Sequence, residues 1–183
     1  MKEQLHRNEA NDLHFKNAIE SENSFTKIVD DILKDACEYL GISAGALLRE
    51  NQEQKTVDMI CEYAGGGREP QMAKEQGVPK EELPFFNGKP YMISSDSMMP
   101  EGFARLFAQK KLTAAVFLPV EVNGHAGMYL CFCESEKKKK WENADVKFIN
   151  DVKRIIQTIL TKRITKNSLA SSYASLEAIL ENV

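Results

Sequence analysis

The 183-residue sequence has no long hydrophobic run and contains one tryptophan, six prolines and four cysteines. No stretch approaches the roughly 18 to 20 consecutive apolar residues that cross a bilayer, and the polar start lacks the apolar centre of a signal peptide. We therefore expect a soluble, cytoplasmic segment without membrane contact. That expectation leaves open a membrane anchor outside residues 1–183.

An excess of basic residues is also missing. The chain has 24 Lys and Arg against 27 Asp and Glu, a formal net charge of −3 and a pI near 5.7. Because binding to phosphate backbones needs a basic face, a nucleic-acid partner is excluded. The one basic block, Lys137 to Lys140, is interpreted as a solvated loop.

The four cysteines do not have the pattern of a disulfide or zinc framework. Cys37 falls on an apolar helix face, Cys61 and Cys131 fall in apolar strands, and no histidine pair has metal-ligand spacing. We expect reduced thiols in the core and no metal, as is typical of cytoplasmic proteins. Cys131 and Cys133 share one strand face, but redox sensing is the lesser alternative because buried apolar thiols are usually inert.

The composition is that of a globular protein, with 43% hydrophobic and 28% charged residues. The length favours one domain with helical extensions. We predict an N-terminal helical or linker extension over residues 1–22, one domain over residues 23–160, and a C-terminal connector helix over residues 161–183.

Periodic apolar positions predict most of the elements. Spacings of three and four predict a helix over residues 25–40, with Gly41 at its C-cap. Period two predicts a strand in which Val57, Met59, Cys61 and Tyr63 form one mostly apolar face. A short strand is predicted at residues 91–93 and a helix after residue 100.

The second half of the sequence predicts a tight hairpin and a long helix. Apolar segments TAAVFLPVEV and AGMYLCFCES flank an Asn-Gly dipeptide, which indicates a hairpin whose strands are covered on both faces. Pro119 predicts an interruption of the ladder. From Trp141 onward a helical pattern changes from a broad apolar face to a narrow stripe typical of a coiled coil, which predicts a parallel homodimer. The stripe consists of Leu169, Tyr173, Leu176 and Leu180.

In its order of elements the sequence resembles a GAF domain, a sensory module. The segments that carry the resemblance are ALLRE, VDMICEYAGGG, PFFNGKPYMISSD, and AVFLPVEVNGHAGMYLCF with the following Trp141, together covering residues 23–160. The resemblance implies an α+β fold, related to profilin and PAS domains, with an antiparallel sheet of five to six strands. It places the N- and C-terminal helices on one face and a ligand pocket on the other.

What the resemblance implies about function is a non-catalytic sensory domain of a larger bacterial signalling protein, such as a histidine kinase or diguanylate cyclase. Such a domain binds a small molecule, here of unknown identity, and relays its presence through terminal helices to an output domain. The residues that map to the pocket of such domains are Tyr63, Phe85, Phe86, Tyr91, Ile93, Ser95, Asp96, Phe103, Phe107, Phe117 and Cys131. Aromatic and polar groups in this mixture suit a cavity, but also an ordinary core. For Asp96 the alternative is a turn or helix-cap role.

The sequence lacks the residues that carry the characteristic chemistry of several GAF subfamilies. No cysteine neighbours a histidine, as in bilin-binding members, and residues 65–112 contain none of the cysteines used by free-methionine-sulfoxide reductases. The cyclic-nucleotide-binding residue set is not found either. Two alternatives therefore stand beside a ligand sensor: a ligand-free dimerisation spacer and, with less support, a reductase-like enzyme.

Overall fold

The computed structural model describes residues 23–51, 53–65, 78–79, 88–95, 98, 101–122 and 125–181. Side chains at 23–24, 78–79, 102–103, 106, 125–126, 167–179 and 181 lie outside that description. The elements are α1 (Asn23–Leu40), β1 (Ala44–Asn51), β2 (Thr56–Ala64), β3 (Val78–Pro79), β4 (Tyr91–Ile93), α2 (Glu101–Gln109), β5 (Ala114–Val122), β6 (His125–Glu134) and α3 (Asn143–Glu181).

These six strands form one antiparallel sheet in the order β3-β2-β1-β6-β5-β4. The predicted hairpin of β5 and β6 is confirmed. Their apolar residues are buried on both faces of the sheet, as the near-continuous apolar runs predict. The register shifts between Val120 and Glu121, one residue beyond Pro119, whose nitrogen cannot donate to the ladder.

One face of the sheet is covered by α1 and α3, and we call this the helix-side core. Phe25, Val29 and Leu33 of α1 meet Ile149 and Ile156 of α3 here, and all five are at most 1% exposed. Three- and four-residue spacing places such side chains on one stripe of each helix. Even-numbered residues of β5 and β6 supply the sheet side of this core.

On the other face lies a smaller core beneath α2, which we call the α2-side core. Its members are Ala46, Leu48, Val57, Ile93, Phe107, Ala115, Phe117, Tyr129, Cys131 and Cys133. Odd-numbered residues of β5 and β6 supply much of it, since successive side chains of a strand point to opposite faces.

The single apolar face predicted for β2 is wrong. Val57 and Met59 belong to the α2-side core, whereas Cys61 and Tyr63 pack in the helix-side core. The cause is a β-bulge, because Leu47 pairs with Cys61 and the next β1 residue pairs with Met59, which leaves one β2 residue unpaired. An extra residue reverses the alternation of every side chain beyond it.

The C-terminus of α1 is closed by a glycine cap, and α3 is the longest helix among the described elements. Gly41 adopts a φ of 65°, and the amides of Gly41 and Ile42 donate to the carbonyls of Glu38 and Cys37, so the predicted C-cap is confirmed. The 39 residues of α3 give a helix about 58 Å long at 1.5 Å per residue. Within the described ranges, no helix has the length and apolar character to cross a membrane.

Candidate functional site

A cavity of about 230 Å³ opens on the α2 side of the sheet, at the end where β1 and β2 meet the turn after α2. Its floor consists of small residues on neighbouring strands, namely Ala44, Gly45, Ala46 and Ala64. The methyl groups of the three alanines leave the space that larger side chains fill elsewhere in the α2-side core, whereas Gly45 contributes only backbone here, because a Cβ at that position would meet Phe132 and Cys37 on the helix side. The cavity therefore exists because of this local run of small residues.

Two buried thiols line this cavity. Cys131 and Cys133 both line it, and their Sγ atoms lie 3.3 Å apart, so that one thiol donates to the other. Complete burial, with the contact to Cys133 as the next cause, raises the pKa of the Cys131 thiol well above its usual range. A protonated thiol is a poor nucleophile, so the Cys131 thiol is unreactive at neutral pH.

Charged side chains of both signs surround the mouth of the cavity. Glu62 and Glu136 lie on the strand side, and Lys110 and Lys111 lie on the side of α2. Lys111 adopts a φ of 54°, a left-handed conformation that costs a non-glycine residue about 1 kcal/mol. The amides of Lys111 and Leu112 donate to the carbonyls of Ala108 and Phe107, so this conformation closes the C-terminus of α2. That turn brings both lysines to the cavity.

The predicted pocket residues separate into three groups. Ile93, Phe107, Phe117 and Cys131 lie in the α2-side core with Tyr91 packed against them, but only Cys131 of these five lines the described cavity. Tyr63 lies on the helix side, because of the bulge in β2. Residues outside the description are Phe85, Phe86, Asp96 and the side chain of Phe103.

Ser95, the remaining predicted residue, has a structural contact. Its Oγ donates to the carbonyl of Thr113 at 3.1 Å and accepts from the amide of Lys139 at 3.3 Å. The side chain thereby joins β4 to the loop that precedes α3. Ser95 does not line the described cavity.

A second contact in the same region ties β4 to the start of α3. Trp141 Nε1 donates to the carbonyl of Ile93 over 3.0 Å, and the indole is 9% exposed. Lys139 Nζ lies 3.2 Å from a carboxylate oxygen of Asp145 in the first turn of α3, so the lysine run is not uniformly solvated. These contacts connect the strand at the edge of the α2-side core to the C-terminal helix.

Sequence reasoning missed most of the cavity lining. Strict alternation along β2 predicts Glu62 on the face opposite the pocket, because the bulge that reverses the alternation has no clear sequence signal. Lys110 and Lys111 sit in a turn, where no periodicity marks orientation. The polar residues Ser43, Ser135 and Glu136 belong to strand ends.

Comparison with known proteins identifies the architecture. No protein-family model matches the chain. No curated protein matches it either. Solved structures do match it, and the blue-light-absorbing form of the PixJ GAF domain of Thermosynechococcus elongatus aligns with a TM-score of 0.69 at 12% identity, covering 85% of this chain and 94% of that one. The chain has the GAF fold.

Two further GAF-fold relatives come from other signalling proteins. A phycoerythrobilin-bound GAF domain of a cyanobacterial phytochrome aligns with a TM-score of 0.68 at 9% identity, covering 84% of this chain and 94% of that one. A domain of a two-component sensor histidine kinase from Sinorhizobium meliloti 1021 aligns with a TM-score of 0.64 at 10% identity, covering 81% and 99%. The predicted fold class, an α+β GAF-like antiparallel sheet, is confirmed.

Proposed function

We propose that this GAF-fold chain is a non-catalytic sensory module that binds a small molecule and relays its presence to an output domain of a larger signalling protein. The observation that carries the proposal is the cavity of about 230 Å³ on the sheet face opposite the terminal helices. Structural neighbours with this fold include bilin-bound domains and a sensor histidine kinase domain. Concave sites with an apolar wall and a few polar groups are typical of small-molecule binding.

The cavity chemistry favours a small ligand with both apolar and polar parts. Cys131 and Cys133 offer a buried apolar wall, while Glu62 and the two lysines offer charges of both signs. Covalent attachment of a bilin through a Cys-His pair has no counterpart in the sequence. Of the eleven predicted ligand residues, Cys131 is the one we assign to direct contact, with Ile93, Phe107 and Phe117 as the core behind it.

Relay requires that the ligand prefer one packing of the domain over another. The contacts of β4 with the segment before α3 offer a physical connection for such a preference. Ile93 belongs to the α2-side core and its carbonyl accepts from Trp141, so displacement of β4 alters how α3 begins. We propose that two copies pair in parallel through the terminal helices, which carry this change to the output domain.

A thermal-shift screen of small molecules tests this proposal when the parent protein is compared with a variant whose cavity is filled by a larger side chain. A molecule present at about 100 times its dissociation constant stabilises the folded state by about 2.7 kcal/mol. For a domain of this size that corresponds to a rise in Tm of roughly 5 to 11 °C. We expect the rise to disappear in Ala64→Leu, whose larger side chain occupies the cavity, and to persist in Ala108→Leu on the exposed surface of α2.

If no compound in a broad metabolite panel stabilises the protein, or if Ala64→Leu binds as the parent does, a ligand in this cavity is ruled out. The length of α3 then favours the second candidate, a dimerisation spacer. Among the side chains that the structure describes, Ile164 is the last of this helix in the helix-side core, while the helix continues to Glu181. Sedimentation equilibrium would show whether that end pairs two copies.

A further inference from the structure

The outer side of the two terminal helices exposes large apolar side chains. Ile28 of α1 is 39% exposed, and Ile155 of α3 is 52% exposed. Ile32 and Ile159 pack only partly against the helix-side core. We call these four residues the isoleucine strip. A helix that packs on a sheet normally presents polar side chains to water, so the strip departs from the usual pattern.

Two aromatic contacts fix the relative direction of α1 and α3. The ring of Tyr39 stacks on that of Phe148, with 4.2 Å between the ring centroids. The guanidinium carbon of Arg163 lies 5.2 Å from the centroid of the Phe25 ring. The first contact joins the end of α1 to the beginning of α3, and the second joins the beginning of α1 to a later turn of α3. The two helices therefore run antiparallel.

This alignment gathers the isoleucine strip along the line where the two helices meet. Ile28 lies level with Ile159, and Ile32 lies level with Ile155. Isolated apolar side chains at a surface are common, whereas a continuous apolar strip marks a site of interaction. The strip therefore indicates a surface that another molecule covers.

Along α3 the strip continues into the predicted coiled-coil stripe. Leu169 lies 14 residues, or two heptads, beyond Ile155, and Tyr173 lies two heptads beyond Ile159. Positions that repeat every seven residues stay on one side of a supercoiled helix. A second copy that pairs with the stripe would therefore also meet the isoleucine strip.

The charges of the two helices are complementary, which favours a second copy as the partner. α1 has four acidic residues against two basic ones, whereas residues 143–166 of α3 have six basic residues against two acidic ones. A two-fold axis that runs along the helices keeps the two copies parallel and brings α1 of each copy over α3 of the other. Acidic surfaces then meet basic surfaces twice. An axis across the helices would instead bring α1 over α1, with like charges facing each other.

Two pairs of exposed charges fit the parallel arrangement. Asp31 and Glu38 lie seven residues apart on α1, and Lys147 and Arg154 lie seven residues apart on α3. Equal spacing on antiparallel helices lets Asp31 meet Arg154 of the second copy while Glu38 meets Lys147 of that copy. Arg154 also lies 3.5 Å from Asp151 of its own helix, but both side chains are exposed and such a pair contributes little.

We propose that the isoleucine strip and the charges beside it bind a second copy of this chain, with α1 of each copy packed antiparallel on α3 of the other in a four-helix bundle. This interface rests on the parallel pairing proposed for the sensory module, and it needs no ligand in the α2-side cavity. It places contact between the copies inside the domain, and not only at the C-terminal end of α3. The complementary charges select the parallel arrangement over the antiparallel one.

Sedimentation equilibrium of the full chain measures the dissociation constant of the dimer. Ile155→Glu brings a charge into the strip, so we expect the dissociation constant to rise about tenfold or more. The control is Glu53→Lys/Glu121→Lys, which changes two exposed carboxylates outside both helices and should dimerise as the parent does. Circular dichroism checks that each variant is folded.

Charge reversal gives a result that misfolding cannot imitate. An α1-reversed variant, Asp31→Lys/Glu38→Lys, and an α3-reversed variant, Lys147→Glu/Arg154→Glu, should each dimerise about tenfold more weakly than the parent, because like charges then face each other. An equimolar mixture of the two variants restores opposite charges at both α1–α3 contacts. We therefore expect native mass spectrometry to show a heterodimer with an affinity close to that of the parent dimer.

The outcomes separate this interface from the broader pairing. A parent that stays monomeric at all concentrations would overturn both the interface and the proposed pairing, and would leave the strip to a different partner. A dimeric parent whose dissociation constant is unchanged in Ile155→Glu would overturn the interface alone, as would a mixture of the reversed variants that forms no heterodimer. Ligand binding in the α2-side cavity is measured separately and decides neither result.

Discussion

Trp141→Phe tests the hydrogen-bonded contact that connects the α2-side core to the start of the C-terminal helix. Trp141 is the only tryptophan in the chain, and its Nε1 donates to the Ile93 carbonyl at 3.0 Å. Lys139 Nζ lies 5.6 Å from the centre of the indole ring. Phenylalanine keeps an aromatic ring at the position but removes the donor, so the substitution separates the hydrogen bond from packing.

The expected loss of stability follows from these contacts. Removal of the donor deprives the Ile93 carbonyl of its side-chain partner, which costs about 1 to 3 kcal/mol for a buried group. A phenyl ring attracts the lysine less than an indole does, a difference that lies within about 1 kcal/mol. We therefore expect the free energy of unfolding to fall by about 2 to 3 kcal/mol, a large part of the roughly 5 to 15 kcal/mol typical of a domain.

Urea unfolding followed by far-UV circular dichroism measures this loss, since the variant has no tryptophan fluorescence. The midpoint should fall while the slope of free energy against urea stays unchanged. Tyr39→Leu is the control for the replacement of an aromatic side chain at the surface. Tyr39 is 73% exposed and stacks on Phe148, so its loss should change the free energy of unfolding only slightly. A loss in Trp141→Phe below about 0.5 kcal/mol, the usual range of surface substitutions, would refute the reasoning.

Two further predictions concern other parts of the fold. Gly45→Ala should destabilise the protein by about 1 to 3 kcal/mol in urea unfolding, because an added Cβ lies 3.0 Å from the Phe132 ring and 3.2 Å from Cys37 Sγ; a gain in stability would contradict this. Burial raises the pKa of both the Cys37 and Cys61 thiols to about 12, so the stability that they contribute is complete below about pH 8.5 and is lost as pH rises toward 12, at about 1.4 kcal/mol per pH unit for each thiol. A Cys37→Ala/Cys61→Ala variant with the same slope as the parent in alkaline urea titrations would contradict that.

Periodicity explains why the elements and the fold class were predictable from the sequence. The stripes of α1 and α3, and the Asn-Gly dipeptide between β5 and β6, are local patterns that the tertiary structure preserves. The bulge in β2 is different, because its position depends on pairing with Leu47 of another strand. The sequence of β2 alone alternates without a break, so Tyr63 was assigned to the wrong face.

The cavity was less predictable for a related reason. The predicted pocket was a set of aromatic residues, yet an aromatic ring such as Phe117 or Phe107 fills space and forms core. Empty space arises where small residues of adjacent strands face each other, and register decides which residues those are. Ala44 faces Ala64 on one side and Cys133 on the other, pairings that no local pattern encodes. The coiled-coil stripe stays a prediction, since of its four side chains only Leu180 is described, and it is 73% exposed.

In the proposed relay, the connection between the ligand and the terminal helices runs around the centre of the sheet and not through it. Strands β1 and β6 pair with neighbours on both sides and are buried on both faces, so they resist displacement. The two sides are joined instead at the ends of strands, by the Trp141 contact to Ile93 and by the hydrogen bond from Ser43 to Glu134. Trp141 lies just before α3, and Ser43 lies just after the C-terminus of α1. Each terminal helix therefore has its own contact with the α2 side of the sheet, and in the proposed relay a ligand that shifts either contact biases one helix without deforming the core.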